Sequence, residues 1–211
     1  MGSESSEDKW GLVRSGPTTI ARYSNRLVRR GVDLAALVQT RPAALSEKLT
    51  ASDHGNAVAH YNLANALSNK GQHDEAIAEY RKAIELDPND TDAHCNLGVA
   101  LSNKGQHDEA IAEYRKAIEL DPNDADAHCN LGVALSNKGQ HDEAIAEYRK
   151  AIELDPNDAV AHYNLGDALD DKGQHDEAIA EYRKAIELDP NDADAHCNLG
   201  VALSNKGQHV A

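Results

Sequence analysis

Five histidines, His60, His94, His128, His162 and His196, stand 34 residues apart. They mark a unit that recurs in near-identical copies at 57–90, 91–124, 125–158 and 159–192, followed by a shortened copy at 193–209. The second and third copies differ only at Thr91 against Ala125. No other feature constrains the fold so strongly. A period of this length marks a supersecondary unit too small to bury its own apolar face, so the copies must stack on one another.

Each unit divides into two helical stretches. The first spans about 57–69 in the leading copy, with Val58, Tyr61, Leu63, Ala64 and Leu67 spaced for packed helix faces. Gly71 follows at the place of a left-handed stop residue. The second spans about 74–86, with Asp74 as its expected cap, Glu75 near its positive end, and Ala76, Ile77, Tyr80, Ala83 and Ile84 as its apolar stripe. The run Asp87-Pro88-Asn89-Asp90 ends it, because proline disfavours helix at the preceding residue and cannot donate to the ladder.

A 34-residue helix–turn–helix carrying Leu63, Ala64, Leu67, Ala76, Tyr80, Ala83 and Pro88 resembles the tetratricopeptide repeat. The resemblance covers 57–209 and implies an all-α, right-handed superhelical solenoid. His60 and its copies depart from the pattern, which often has Trp there. The last unit departs too, reading Gln208-His209-Val210-Ala211 where Asp-Glu-Ala-Ile is expected. Its helix then reads either as a cap or as the remnant of a shortened product.

The charge follows this division. The formal net charge is −15, yet residues 1–55 hold 8 basic and 6 acidic side chains against 13 basic and 30 acidic in the remainder. Such an acidic array argues against nucleic acid, which needs a basic surface to release counterions. Phe is absent, so the core must be built from Ala, Leu, Ile, Val and a few Tyr. No apolar run approaches the length of a membrane span, and the first residues lack the apolar centre of a secretory signal.

Residues 1–55 do not fit the repeat, since Arg29 and Arg30 would fall at its Leu and small-residue positions. The expectation is a mobile tail over 1–16 and a helical segment over 17–55 that either caps the array or docks elsewhere. Ile20, Leu27, Val28, Leu34, Leu37 and Val38 would supply the covering face. Six Arg against one acid between Trp10 and Arg41 also suit organelle targeting through residues 1–41, or an amphipathic contact with a partner or membrane surface. Met1-Gly2-Ser3-Glu4-Ser5-Ser6 formally fits an acylation pattern.

Catalytic and metal chemistry find no foothold. His60 and His73 sit on different helices without a partner at helical spacing, and neither a His-Glu-x-x-His nor a Cys-x-x-Cys spacing occurs. Cys95, Cys129 and Cys197 share one unit position, so they lie at least a helix spacing of roughly 8–10 Å apart. That is beyond disulfide reach and fits a cytoplasmic or other reducing compartment. The expectation is no enzyme, no metal and no cofactor. Protonation of the histidines is expected to weaken binding to a basic partner between about pH 7.5 and 5.5.

Differences among the copies fall only in or at the start of the first helix, at unit positions 1, 2, 5, 8, 9, 12 and 13. In tetratricopeptide arrays, the resemblance implies, first helices line a concave groove with ligand-facing sites at positions 2, 5, 9, 12 and 13. Specialisation and drift after duplication both account for that pattern. On the specialised reading the groove holds Tyr61, Asn65, Asp92, Asp126, Tyr163, Asp167, Asp170, Asp171 and Asp194. Asn62, Asn96, Asn130, Asn164 and Asn198 form a ladder similar to that of O-GlcNAc transferase superhelices, which contacts peptide backbone. Lys and Arg are absent from the first helices before Lys70 and its copies, which argues against a clamp for acidic tails.

The expected function is a non-catalytic scaffold that binds a protein or peptide segment with basic residues. Two alternatives stand beside it: a structural subunit docked through 1–55, and the recognition arm of a larger enzyme such as a glycosyltransferase. The half repeat also offers a route to homo-oligomers.

Overall fold

A computed structural model describes residues 57–209, all helical apart from short connections. The segment 1–55, with its expected cap, targeting and docking roles, lies outside the described residues. First and second helices alternate: α1 (Ala57–Ser68), α2 (His73–Leu86), α3 (Thr91–Asn103), α4 (His107–Leu120), α5 (Ala125–Asn137), α6 (His141–Leu154), α7 (Ala159–Asp171), α8 (His175–Leu188) and α9 (Ala193–His209).

Local chemistry sets the boundaries. The Asp90 side chain accepts from the Ala93 N–H at 3.2 Å and caps α3, and Asp124, Asp158 and Asp192 repeat this at α5, α7 and α9. Gly71 and its counterparts Gly105, Gly139 and Gly173 take φ of 73–74°, a left-handed turn that lets the Gln72 N–H reach the Leu67 carbonyl. One boundary corrects the sequence expectation. Gln72, not Asp74, stands at the start of α2 and makes no side-chain cap. Asp74 lies inside the first turn with Glu75, where negative charge favours the positive helix end, and its carboxylate pairs with Lys104 of the next repeat.

Every second helix presents the same core. Ala76, Ile77, Tyr80 and Ala83 are buried against Leu63, Ala64 and Leu67, and the pattern recurs through Tyr114, Tyr148 and Tyr182. Tyr is the large aromatic of each layer, and small residues opposite it make the space. A Cβ on Gly98, Gly132 or Gly166 would come within 2.5–2.8 Å of the facing Tyr ring. In the first repeat Ala64 occupies this place against Tyr80.

Each helix packs on its sequence neighbours, and successive first helices also touch. Successive second helices lie farther apart and, among the described residues, meet only through long side chains. The first helices therefore line the tighter, inner side of an all-α solenoid, and among the described residues each helix packs only within its own and adjacent units.

Position-4 histidines tie three elements together. His94 Nδ1–H donates to Glu113 of α4 at 2.6 Å, while Nε2–H donates to the Pro88 carbonyl of the preceding linker at 3.2 Å. His128 and His162 repeat both bonds. At His94 both ring nitrogens face acceptors, so its arrangement is complete only in the doubly protonated ring. The Glu113 bond accordingly raises His94 above its ordinary value. The resulting stability is full below that ordinary value and fades as pH climbs through the raised one.

Ion pairs repeat along the outside. Arg81, Arg115 and Arg149 reach Glu109, Glu143 and Glu177 of the next unit at 2.7, 3.4 and 2.9 Å. These exposed pairs each contribute at most about 1 kcal/mol, so they favour the stacking register more than they build stability.

Candidate functional site: the concave face

The unit positions expected to face the groove, 2, 5, 6, 9, 12 and 13, fall into two kinds in the structure. Tyr61 is corrected first. It is 1% exposed, with its ring edge-on to Tyr80 at 5.8 Å, and its hydroxyl accepts from Asn96 Nδ2 at 2.6 Å. It is a core residue and stitches the first repeat to the second, so it presents no face to a ligand.

Tyr163, at the same unit position, is half-buried. Its ring lies 6.0 Å from that of Tyr182, and its hydroxyl accepts from Asn198 Nδ2 at 3.1 Å. Loss of hydration, then the carboxylates of Asp167, Asp194 and Asp192, push this phenol up to about 12. It stays neutral and available as a hydrogen-bonding aromatic.

The asparagine ladder also proves to be a stitch. Asn130 Nδ2 approaches Cys95 Sγ at 3.7 Å, and Asn164 Nδ2 approaches Cys129 Sγ at 3.8 Å, each one unit back. With Asn96 and Asn198, four of the five asparagines thus direct an amide donor at position 5 of the preceding repeat. Asn164 is buried, which corrects its expected role as a peptide contact. Asn62, Asn96, Asn130 and Asn198 remain partly accessible.

Position 9 completes this network. Asn65 Oδ1 accepts from the Tyr80 hydroxyl at 2.5 Å and from Asn96 Nδ2 at 3.4 Å. Asp167 Oδ1 plays the same part for Tyr182 at 3.3 Å and Asn198 at 3.1 Å. In the middle repeats Val99 and Val133 stand there beside Cys95 and Cys129. Positions 5 and 9 therefore change together because their side chains share one set of bonds. That joint change is readable in the sequence as Tyr with Asn or Asp against Cys with Val.

Acidity gathers at the far end. Asp126, Asp167, Asp171 and Asp194 are exposed, and Asp92 is half-buried. Lost hydration in the groove wall, followed by the neighbouring Asp171 carboxylate, raises Asp167 above the usual carboxylate range. Asp170 is held differently, accepting from His175 Nδ1 at 2.6 Å, while Asp171 lies 3.9 Å from His141 Nδ1. The lysines at the groove's edge are engaged. Lys104, Lys138 and Lys172 pair with Asp74, Asp108 and Asp142, and Lys206 pairs with Asp176 at 2.5 Å.

All three cysteines are free. Burial, and then Asp158, push Cys129 up to about 12, and burial raises Cys95 further, so neither is a thiolate near neutral pH. Among the described residues no cluster suited to a metal ion occurs, and no helix is long and apolar enough to cross a membrane.

Known proteins place this geometry. Family models described as TPR repeat match residues 65–105, 103–139, 134–173 and 166–207, and one described as tetratricopeptide repeat matches 45–78. No curated protein sequence matches the chain significantly. Among solved structures it is similar to that of MamA protein, at 32% identity over 72% of this chain and 82% of that one, with a TM-score of 0.67. It is also similar to YrrB, described as a TPR protein with an unusual peptide-binding site, at 31% identity over 77% and 84% with a TM-score of 0.66. MamA 41-end from Desulfovibrio magneticus RS-1 aligns over 83% and 96% at 26% identity and a TM-score of 0.66. Repeats in register along the array, the solenoid they build and these likenesses agree: the chain belongs to the tetratricopeptide repeat family, whose arrays are in general non-catalytic scaffolds for protein interaction.

Proposed function

We propose that the concave face binds a peptide segment bearing Lys or Arg, with its strongest hold at the fourth repeat and the half repeat. The observation that carries this reading is the set of exposed carboxylates on the inner wall, Asp126, Asp167, Asp171 and Asp194, at positions where the repeats differ. Asp167 adds weight, because lost hydration and then the Asp171 carboxylate raise its carboxyl, and a partner's cation beside it would offset both. Tyr163 supplies a flat amphipathic surface beside it. YrrB, with its described peptide-binding site, is a precedent for a peptide in such an array.

The partner's cation pays off Asp167's repulsion only when that carboxyl is ionised. Affinity should therefore fall as pH drops through the raised Asp167 value. The test is fluorescence anisotropy with basic, neutral and acidic peptides of equal length at low and moderate salt. Basic peptides should bind tightest and lose affinity with salt. Changing Asp167, Asp170 and Asp171 together to Asn should weaken them about five- to tenfold, the sum expected of three partly screened charges. Equal affinity for basic and neutral peptides, or an unaffected triple variant, overturns the charge assignment.

A further inference from the structure

The concave face carries a pattern finer than its net charge. On α7 one stripe reads Val160, Tyr163, Asp167 and Asp171, at helical spacings of three and four, so an apolar end leads into an acidic one. On α5 the order is reversed: Asp126 stands at the unit position of Val160, and Val133 at that of Asp167. As equivalent helices of stacked copies, α5 and α7 run in the same sense and touch. The approach of Asn164 Nδ2 to Cys129 Sγ at 3.8 Å sets unit position 6 of one beside position 5 of the other. Like positions therefore lie side by side. Asp126, Val133, Val160 and Asp167 form a four-cornered patch with carboxylates on one diagonal and valines on the other. Asp126 and Asp167 are exposed, Val160 is 39% exposed, and Val133 and Tyr163 are half-buried. Between the second and third repeats Asp92 stands beside Asp126 and Val99 beside Val133, so no such crossing forms there.

The dimensions of the patch select the backbone of its ligand. Its corners lie about 10 Å apart along each helix and roughly 8–10 Å apart across the pair, so the carboxylate diagonal is about 14 Å. A helical ligand covers that distance in about nine residues, which leaves its two cations on opposite faces. An extended ligand covers it in about four residues, and residues i, i+2 and i+4 then share the face turned to the wall. The middle one falls where the diagonals cross, against Val133, Val160 and the Tyr163 ring. We propose that this patch binds an extended segment of a partner protein carrying the pattern basic-x-apolar-x-basic. The proposal rests on the reading of the concave face as a site for basic peptides, and adds to it a spacing, a conformation and a central anchor. Charge complementarity names the outer residues, Lys or Arg on Asp126 and on Asp167, with Asp171 one turn beyond. The valines name the central one, since an aliphatic side chain there removes apolar surface of both partners from water.

The test is fluorescence anisotropy of the full 211-residue chain with three labelled peptides of equal length. One carries Lys-x-Leu-x-Lys among Ser and Gly. The second has the same composition, with its two Lys adjacent and Leu moved to the far end. The third has Ser in place of both Lys. The patterned peptide should bind about tenfold tighter than the scrambled one, and that margin should shrink about threefold or more in Val160→Ser and in Asp126→Asn. Both residues are exposed, so the variants should fold normally, and unchanged circular dichroism melts confirm it. Equal binding of the patterned and scrambled peptides, both tighter than the neutral one, overturns the pattern and leaves the basic-peptide reading standing. Equal binding of all three overturns both. A margin unchanged in either variant also overturns the proposal, since the discrimination then arises elsewhere on the chain.

Discussion

The first and fourth repeats differ from the second and third in how they join the next unit. At Tyr61 and Asn65, and again at Tyr163 and Asp167, a polar network runs from the second-helix Tyr hydroxyl through position 9 to the next asparagine and its tyrosine. At Cys95 and Val99, and at Cys129 and Val133, the asparagine meets a thiol and the wall beside it is apolar. Identical second helices thus support two kinds of seam. Substitutions at these positions come in matched sets: the second-helix Tyr hydroxyl meets a position-9 acceptor where Asn65 or Asp167 stands, and Val99 and Val133 offer none to Tyr114 and Tyr148.

The sharpest way to break this comparison is to mix the sets. Cys129→Tyr forces a large ring into a fully buried site without its partner, and should cost about 1–3 kcal/mol in urea unfolding. Adding Val133→Asn supplies an acceptor for the Tyr148 hydroxyl and for Asn164, and should restore at least about 0.5 kcal/mol. Strict additivity of the two changes would show that the sets are independent.

A smaller effect distinguishes the second-helix tyrosines. Tyr182→Phe removes a bond to Asp167 and should cost about 0.5–1.5 kcal/mol, whereas Tyr148→Phe, opposite Val133, should cost less. Equal costs in thermal melts would place the difference between the seams elsewhere.

Smallest is Asp167→Asn. The amide keeps an acceptor for Tyr182 and Asn198 and removes a charge that the native fold disfavours. A carboxyl raised on folding destabilises the native state when ionised, so the variant should gain up to about 0.5 kcal/mol at neutral pH. The gain should vanish as pH falls below the ordinary carboxylate value. A loss at neutral pH, measured by urea midpoints across that range, would mean that the charge itself holds the seam.

Most of the fold was legible before any coordinates. The expected first helix at 57–69 forms as Ala57–Ser68, and the expected second at 74–86 forms as His73–Leu86, because apolar spacing, Gly71 and Pro88 act locally. Asp74 looks like a cap in the sequence, as a short acid before an apolar run does, but it lies in the first turn and pairs with Lys104, thirty residues away. The site was harder to read. The unit position of Tyr61 marks it as groove-facing, yet it is buried while Tyr163, with the equivalent tyrosine and asparagine partners, is half-buried, a difference the repeat pattern does not carry. The asparagines carried the right periodicity, but their bonds point along the stack.

One hexapeptide separates what sequence determines from what tertiary structure decides. Ser-Asn-Lys-Gly-Gln-His occurs at 68–73, 102–107, 136–141 and 204–209. In the first three places it breaks the helix, with glycine at φ of 73–74°, and in the last it stays helical through His209. The sequence by itself makes both states accessible, since glycine permits the turn and the flanking residues tolerate helix. Where a second helix follows, the turn lets Ala76, Ile77 and Tyr80 or their copies bury against the first helix, and that burial outweighs the broken ladder. In α9 the same residues continue the backbone ladder, with no second helix among the described residues to bury against it.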